Sequence, residues 1–378
     1  MFAIRHWTSR VDEAWKESTV IWLFGVRRVG KTCLCHSVSN VANFNCESPR
    51  ARRMMEDPDL FLETNTGRIL AIDEIHLLDN PSELLKLAAD HHPDIKVVAT
   101  GSSTLSASAK FRDTLTGRKT DIWLTPMPHA DLADFGGGRI EDRLRKGGLP
   151  GMFLAKAPPD RKYQEWIQDY WSRDIQELFK VEKRNSFMKF TELLLVNSGG
   201  MFEATGYAAK CEASRQTISN YLSILESTYA VSLLRPFSTR KTTEIVAAPK
   251  VYAFDTGFVR VFNGWDDPRP QELGKLWEHY VLNELHNILR TRDISYWREK
   301  SGREIDFIIK KGSSASFAIE CKWSSKDFDA KGMLAFHEAY PEARLVLVAR
   351  NEDKPYRKKF KNADITITGI AHLGEAFQ

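Results

Sequence analysis

The chain has 378 residues, 42% of them hydrophobic and 28% charged, with a formal net charge of +4. Length predicts two or three domains, and the composition is that of an ordinary globular protein, which excludes a low-complexity or repetitive chain. A charge so near balance leaves any nucleic-acid contact to local patches.

The five cysteines (Cys33, Cys35, Cys46, Cys211 and Cys321) include no C-x-x-C pair, and their odd number points to free thiols in a reducing compartment. The opening MFAIRHWTSR has no apolar signal core, and no run is long enough to span a bilayer. The expectation is a cytoplasmic protein without membrane contact.

Residues 20–24, VIWLF, read as a short buried strand that runs into Gly25-Val26-Arg27-Arg28-Val29-Gly30-Lys31-Thr32. This is G-x-x-x-x-G-K-T, a loop whose backbone N–H groups cradle phosphate. The expected nucleotide contacts are Gly25, Arg27, Arg28, Val29, Gly30, Lys31, Thr32 and Cys33. Lys31 would reach the β- and γ-phosphates of ATP, and Thr32 would offer its hydroxyl to Mg2+. Residues 41–46 supply a second strand. Residues 69–74, Ile-Leu-Ala-Ile-Asp-Glu, are a third that ends in two carboxylates. Asp73 would hold magnesium through water and Glu74 would polarise the attacking water.

Residues 95–103, IKVVATGSS, form a further buried strand with Thr100, Ser102 or Ser103 placed to sense the γ-phosphate. The last strand of this set is 121–125. Arg118 lies just before it, where ring-forming ATPases often carry an arginine for the neighbour's γ-phosphate; a surface salt bridge is the alternative. Five strands alternating with helices predict a parallel sheet with helices on both faces. The segments GVRRVGKT, LAIDEIHLL, VVATGSSTLS, LTGRKTDIWLTPMPHADL, GGLPGMF and PKVYAFDTGFV occur in this order. Together they resemble a large group of prokaryotic AAA+-like ATPases whose C-terminal domain has long been labelled as of unknown function. Val26 stands where that group often has proline. The resemblance implies an ATPase and leaves its task open.

Residues 129–200 are rich in helix formers and predict a helical lid, with Trp166, Ile167, Tyr170 and Trp171 as core packing. Residues 204–229 have helix-turn-helix spacing, and two strand-like runs follow, separated by Ser238-Thr239-Arg240-Lys241-Thr242. This predicts a winged helix with a basic wing tip. Arg215, Gln216, Thr217 and Asn220 would face the major groove of DNA, and Arg235, Arg240 and Lys241 would grip phosphates. Winged helices also serve as protein-binding modules, which the sequence leaves open.

Residues 272–290 form an amphipathic helix with Glu284 near the middle of its apolar face and Glu278 at the side. A hairpin follows, 304–309 and 317–322. Alternation groups Asp306 with Glu304 and Ile308, and Glu320 with Lys322. The D…E-x-K pattern resembles the restriction-endonuclease-like (PD-(D/E)xK) nucleases. The resemblance implies that Asp306, Glu320 and Glu278 hold Mg2+, with Mn2+ as a substitute, while Lys322 orients a water. Whether Glu278 or Glu284 is the extra ligand stays open. The basic run Lys354–Lys361 is a solvated loop or a phosphate contact.

The expected architecture is therefore α/β: an ATPase core (1–128), a helical lid (129–200), a winged helix (201–262) and a nuclease-like α/β domain (263–378). The leading expectation is an ATP-driven protein that remodels or moves along duplex or branched DNA, with a metal-dependent nuclease-like tail that grips or cuts it, as a monomer, dimer or ring. The alternative is an ATP-dependent switch that answers a protein partner and carries an inactive tail.

Overall fold

The computed structural model describes residues 5–101, 111, 114–157, 159–179, 181–238, 248–312 and 314–378. Ser102, Ser103 and the wing-tip residues Thr239, Arg240, Lys241 and Thr242 lie outside them.

Five strands, β1 (Val20–Phe24), β2 (Val41–Asn45), β3 (Ile69–Asp73), β4 (Lys96–Thr100) and β5 (Lys119–Trp123), pair in parallel in the order β2-β3-β4-β1-β5. The central strands β1, β3 and β4 bury both faces, while the edge strands β2 and β5 are half-buried. Ile21 and Leu23 enter one cluster with Trp7, Val11 and Leu34, whereas Val20 and Trp22 enter another with Phe61, Leu84 and Phe111. Parallel strands share one carboxyl edge. The loop after β1 and the acidic pair at the end of β3 meet there, as the sequence predicts.

The middle of the chain supplies helices Ile140–Lys146, Pro150–Phe153, Asp160–Tyr170, Gln176–Phe179 and Arg184–Val196, with a π turn at Trp171–Ile175. Tyr163, Trp166 and Tyr170 share one buried cluster with Ile21 of β1, Leu225 and Trp277. One buried cluster therefore runs across the boundaries expected at 128, 200 and 262.

Helices Ala204–Ala208 and Arg215–Ser227 come next, the second capped by Ser214, whose Oγ accepts from the Thr217 N–H at 3.0 Å. Ile218, Tyr221, Leu222 and Leu225 form its buried face. Phe187 packs edge-on against Tyr221, ring centroids 5.1 Å apart, so the Arg184–Val196 helix belongs with this pair. Strands β6 (Gly200–Met201), β7 (Val231–Pro236) and β8 (Lys250–Ala253) complete the unit, β8 pairing antiparallel with both others.

This small sheet does not stand alone. β7 also pairs in parallel with β9 (Ile294–Arg298), through Arg235↔Ser295 and Pro236↔Tyr296. The sheet then continues through β10 (Glu304–Lys311), β11 (Ser314–Lys322), β12 (Arg344–Ala349), β14 (Ala363–Thr368) and β13 (Tyr356–Phe360), nine strands among the described residues. The basic run at 354–361 is largely β13, an exposed edge strand. The Pro270–Leu289 helix covers one face, Trp277 Nε1 donating to the Val348 carbonyl at 3.2 Å. The Lys331–Ala339 helix covers the other, with Met333 and Phe336 against Ile305 and Ile308. Among the described residues no helix is long and apolar enough to cross a membrane.

Simple alternation fails at one point. The β9–β10 register shifts between Ile305 and Ile308, a bulge. Ile308 therefore packs with Ile305 on the Lys331–Ala339 side, while Phe307 faces Tyr252 with ring centroids 5.9 Å apart. Asp306 parts company with Ile308, and its Oδ2 accepts from the Cys321 N–H at 2.8 Å, filling a place in the ladder that backbone would normally take.

Candidate functional site

At Gly25 a Cβ would lie 2.3 Å from the Leu124 carbonyl oxygen, and φ is +147°; only glycine fits. Arg28 has a φ of 63°, a conformation held by surrounding contacts. Its guanidinium pairs with Asp169 at 2.5 Å, and the Trp166 Nε1 donates to the Arg27 carbonyl at 3.1 Å. Lys31 Nζ donates back to the Gly25 and Val26 carbonyls at 3.0 and 3.1 Å. Burial pulls its pKa below the ordinary lysine value, against the pull of Glu74, Asp174 and Asp73.

Thr32 Oγ1 donates to Asp73 Oδ2 at 2.8 Å. These two adjacent hard oxygens are the donor chemistry that Mg2+ takes, so the residues fit the ion the motif implies. The other Asp73 oxygen accepts from Thr100, whose hydroxyl also accepts from the Glu74 N–H at 3.2 Å. Thr100 is fully buried and positions the acidic pair, which corrects the expectation that it reaches for phosphate. Glu74 has a φ of 54° and its carboxylate lies 3.2 Å from His76 Nδ1. The His76 hydrogen bond holds Glu74 below the usual glutamate range, so it stays ionised.

Gly25, Arg27, Arg28, Lys31, Thr32, Glu74 and His76 line a cleft of about 680 Å³, of the size that nucleotides use. Its other wall comes from the middle of the chain: Pro150, Trp166, Tyr170, Arg173, Asp174 and Thr228. The π turn carries Arg173 and Asp174 into this wall, and Asp174 pairs with Arg27 at 3.2 Å. Trp166 and Tyr170 are thus core residues, as expected, and cleft residues as well. Sequence reading missed His76, Asp169, Asp174 and Thr228. His76 stands two residues after Glu74 within the quoted segment LAIDEIHLL, whereas Asp169, Asp174 and Thr228 are recognisable only by what they meet across the fold. Arg118 precedes β5 at the amino edge of the sheet, away from the cleft, with its Nε donating to Asp90 at 2.7 Å.

On the Arg215–Ser227 helix, Arg215, Gln216 and Asn220 are exposed, and Gln216 donates to Asn220 at 3.0 Å. Thr217 is half-buried, its hydroxyl 2.8 Å from Ser214 Oγ in the cap, so it adds little to that face.

The tail residues separate the two candidate glutamates. Glu284 accepts from the His129 N–H at the loop below β5, and burial pushes its pKa up to about 8. Glu278 instead meets Tyr252, Lys250 and the hairpin. Asp306 is pushed up to about 7 by burial and by Glu278. Glu320 is pushed up to about 8 by burial and by Asp306, and its Oε1 accepts from Lys322 at 2.6 Å. Glu320 Oε2 is buried without a hydrogen-bond partner. One orphan oxygen is not a ligand set. Among the described residues no three His, Cys, Asp or Glu side chains are gathered to hold a metal, and the Lys250 ammonium stands among these carboxylates. As arranged, they do not fit a divalent ion.

Comparison with known proteins divides the chain in three. Residues 17–132 match the family model of an AAA domain, and residues 138–269 and 273–368 match two domains of unknown function (DUF8612 and DUF4143). An uncharacterized protein of Mycobacterium tuberculosis is 26% identical over 357 residues, covering 92% of this chain and 80% of its own length. An uncharacterized protein of Haemophilus influenzae is 26% identical over 263 residues, covering 64% and 62%. Among solved structures, a Walker-type ATPase of Pyrococcus abyssi is 15% identical and covers 69% of this chain and 96% of its own, with a TM-score of 0.46. The AAA match and the parallel sheet bearing G-x-x-x-x-G-K-T make the amino-terminal part a P-loop ATPase core of the AAA+-like kind.

Proposed function

We propose that the chain is an ATP-hydrolysing, DNA-binding protein in which nucleotide in the cleft sets the position of the Arg215–Ser227 helix. One observation carries this reading. Thr228, the residue that ends that helix, lines the nucleotide cleft and is hydrogen-bonded to Tyr170, close to Arg173 and Asp174 in the same wall.

Phosphate is a stronger guanidinium partner than a single carboxylate. An entering triphosphate would therefore compete with Asp174 and Asp169 for Arg27 and Arg28. Losing those ties would shift the Asp160–Ile175 segment and, through Tyr170, the end of the Arg215–Ser227 helix. In the bound state Lys31 would take the β- and γ-phosphates, Thr32 and Asp73 would hold Mg2+, and Glu74 would orient the attacking water. Mg2+ supplies charge neutralisation for phosphoryl transfer. The helices from Arg184 to Ser227 with β7 and β8 follow the order of a winged helix. The exposed Arg215, Gln216 and Asn220 suit a major groove, and Arg240 and Lys241 suit phosphate.

The test is ATP turnover by the purified chain with no DNA, duplex, forked and four-way DNA, using Lys31→Ala as the blank. DNA affinity is measured alongside with ATP, ADP and no nucleotide. The expected result is DNA-stimulated turnover and about a tenfold difference in DNA affinity between ATP and ADP states, reduced in Tyr170→Phe. Equal DNA affinity in every nucleotide state would sink the coupling. No DNA binding at low salt would move the reading to a switch that answers a protein.

A further inference from the structure

The tail holds the side chains that the D…E-x-K pattern predicts, and one that it does not. Lys250 begins β8, well before the tail in sequence, and its side chain is only 7% exposed. Its Nζ is hydrogen-bonded to Glu304 Oε1, lies 4.0 Å from Glu278 Oε1 and sits 5.4 Å above the Tyr296 ring. Tyr252, on the same face of β8 two residues on, donates to Glu278. The strand that closes the wing therefore sends two side chains into the carboxylate centre.

We propose that Lys250 is the resident cation of this centre: its ammonium takes the place among Glu278, Glu304 and Asp306 that a divalent metal would need, so the native tail takes up neither Mg2+ nor Mn2+.

Three considerations support this. The first is position. A metal ion must bring carboxylate oxygens to about 2.0–2.6 Å. Glu304 and Glu278 are already directed at an ammonium, which would stand within a few ångströms of the ion. Like charges that close in a poorly solvated site repel strongly. The second is how the lysine is held. Only 7% of its side chain is exposed, and its Nζ is fixed by the hydrogen bond to Glu304 Oε1, by Glu278 Oε1 at 4.0 Å and by the Tyr296 ring 5.4 Å away. The third is the rest of the centre. Glu320 Oε1 is occupied by Lys322 at 2.6 Å, and Asp306 Oδ2 by the Cys321 N–H at 2.8 Å, which leaves Glu320 Oε2 as the unpaired oxygen. Two lysines are shared among four carboxylates.

This inference goes beyond the ATPase reading and does not depend on it. It is tested by Mn2+ binding to the full chain without nucleotide, followed by calorimetry and by the electron paramagnetic resonance of free Mn2+. Asp73→Asn is present throughout to silence the nucleotide site. The expected result is no Mn2+ site tighter than about millimolar in the Lys250-containing chain. Lys250→Gln should gain one site at least about tenfold tighter, and adding Asp306→Asn should remove it. Mn2+ should raise the melting temperature of Lys250→Gln and leave that of the parent unchanged. A Mn2+ site in the Lys250-containing chain that Asp306→Asn abolishes would overturn the proposal. That measurement needs no Lys250 variant to fold. Failure of folded Lys250→Gln, and of Lys250→Met beside it, to gain any site would overturn it equally.

Discussion

The nucleotide cleft and the tail centre are both made of strand-end carboxylates beside a lysine, but their counter-charges are held differently. In the cleft, Lys31 rests on two carbonyls of its own loop, and Arg27 rests on Asp174. A phosphate can replace either contact, and about 680 Å³ of space lies in front of them. In the tail, Lys250 and Lys322 are held by the carboxylates themselves, and Glu320 is only 14% exposed. Similar residue types thus make a receptive site where the partners are exchangeable and a closed one where the lysines stay tied to the carboxylates, with Glu320 Oε2 alone left over.

The largest test of the receptive half is Lys31→Ala. It should lower ATP turnover at least about 100-fold, since Lys31 is the cation that the phosphate loop places for the β- and γ-phosphates. Glu74→Gln should lower kcat by a similar factor while leaving nucleotide binding intact; loss of both together would mean that Glu74 shapes the cleft rather than serving the water. The closed half predicts a stability effect instead. Lys250→Ala leaves Glu304 and Glu278 partly buried without their cation and should cost about 3 kcal/mol, read from denaturant melts. A negligible change would show that the tail carboxylates are not held by it.

The tail pair and Glu74 should respond to pH with opposite sign. Asp306 at about 7 and Glu320 at about 8 bind protons in the folded chain that an ordinary aspartate or glutamate releases near 3.8 and 4.5. Their contribution is complete below the ordinary values and is lost as pH rises through the raised ones. The melting temperature should fall between about pH 5 and pH 9, and Glu320→Gln should flatten that fall. Glu74 is lowered, chiefly by His76. Its contribution is present above the ordinary glutamate value and is lost as pH falls through the lowered one.

Smaller effects sharpen the cleft further. Asp174→Asn should free Arg27 and tighten ATP about three- to tenfold, measured by direct titration. Arg118→Ala should leave the melting temperature unchanged, because its ion pair with Asp90 is exposed. Turnover that rises with protein concentration and falls in Arg118→Ala would instead assign this arginine to a neighbouring copy's nucleotide.

By itself the sequence determined whatever depends on chain neighbours. The phosphate loop, the Asp73–Glu74 pair, the five core strands, the capped Arg215–Ser227 helix and the hairpin at 304–322 are legible because their residues act at fixed spacings of turn, helix or strand. Tertiary structure decided the rest. Glu278 and Glu284 lie on one helix and differ only in what packs opposite them, the hairpin in one case and the loop at His129 in the other. The bulge that parts Asp306 from Ile308 is a property of pairing between two strands. Asp174 at the phosphate loop, Thr228 at the cleft and Lys250 in the tail all act across long sequence separations. Nothing local encodes such meetings, because a side chain's partner is chosen by the packing of whole helices and sheets.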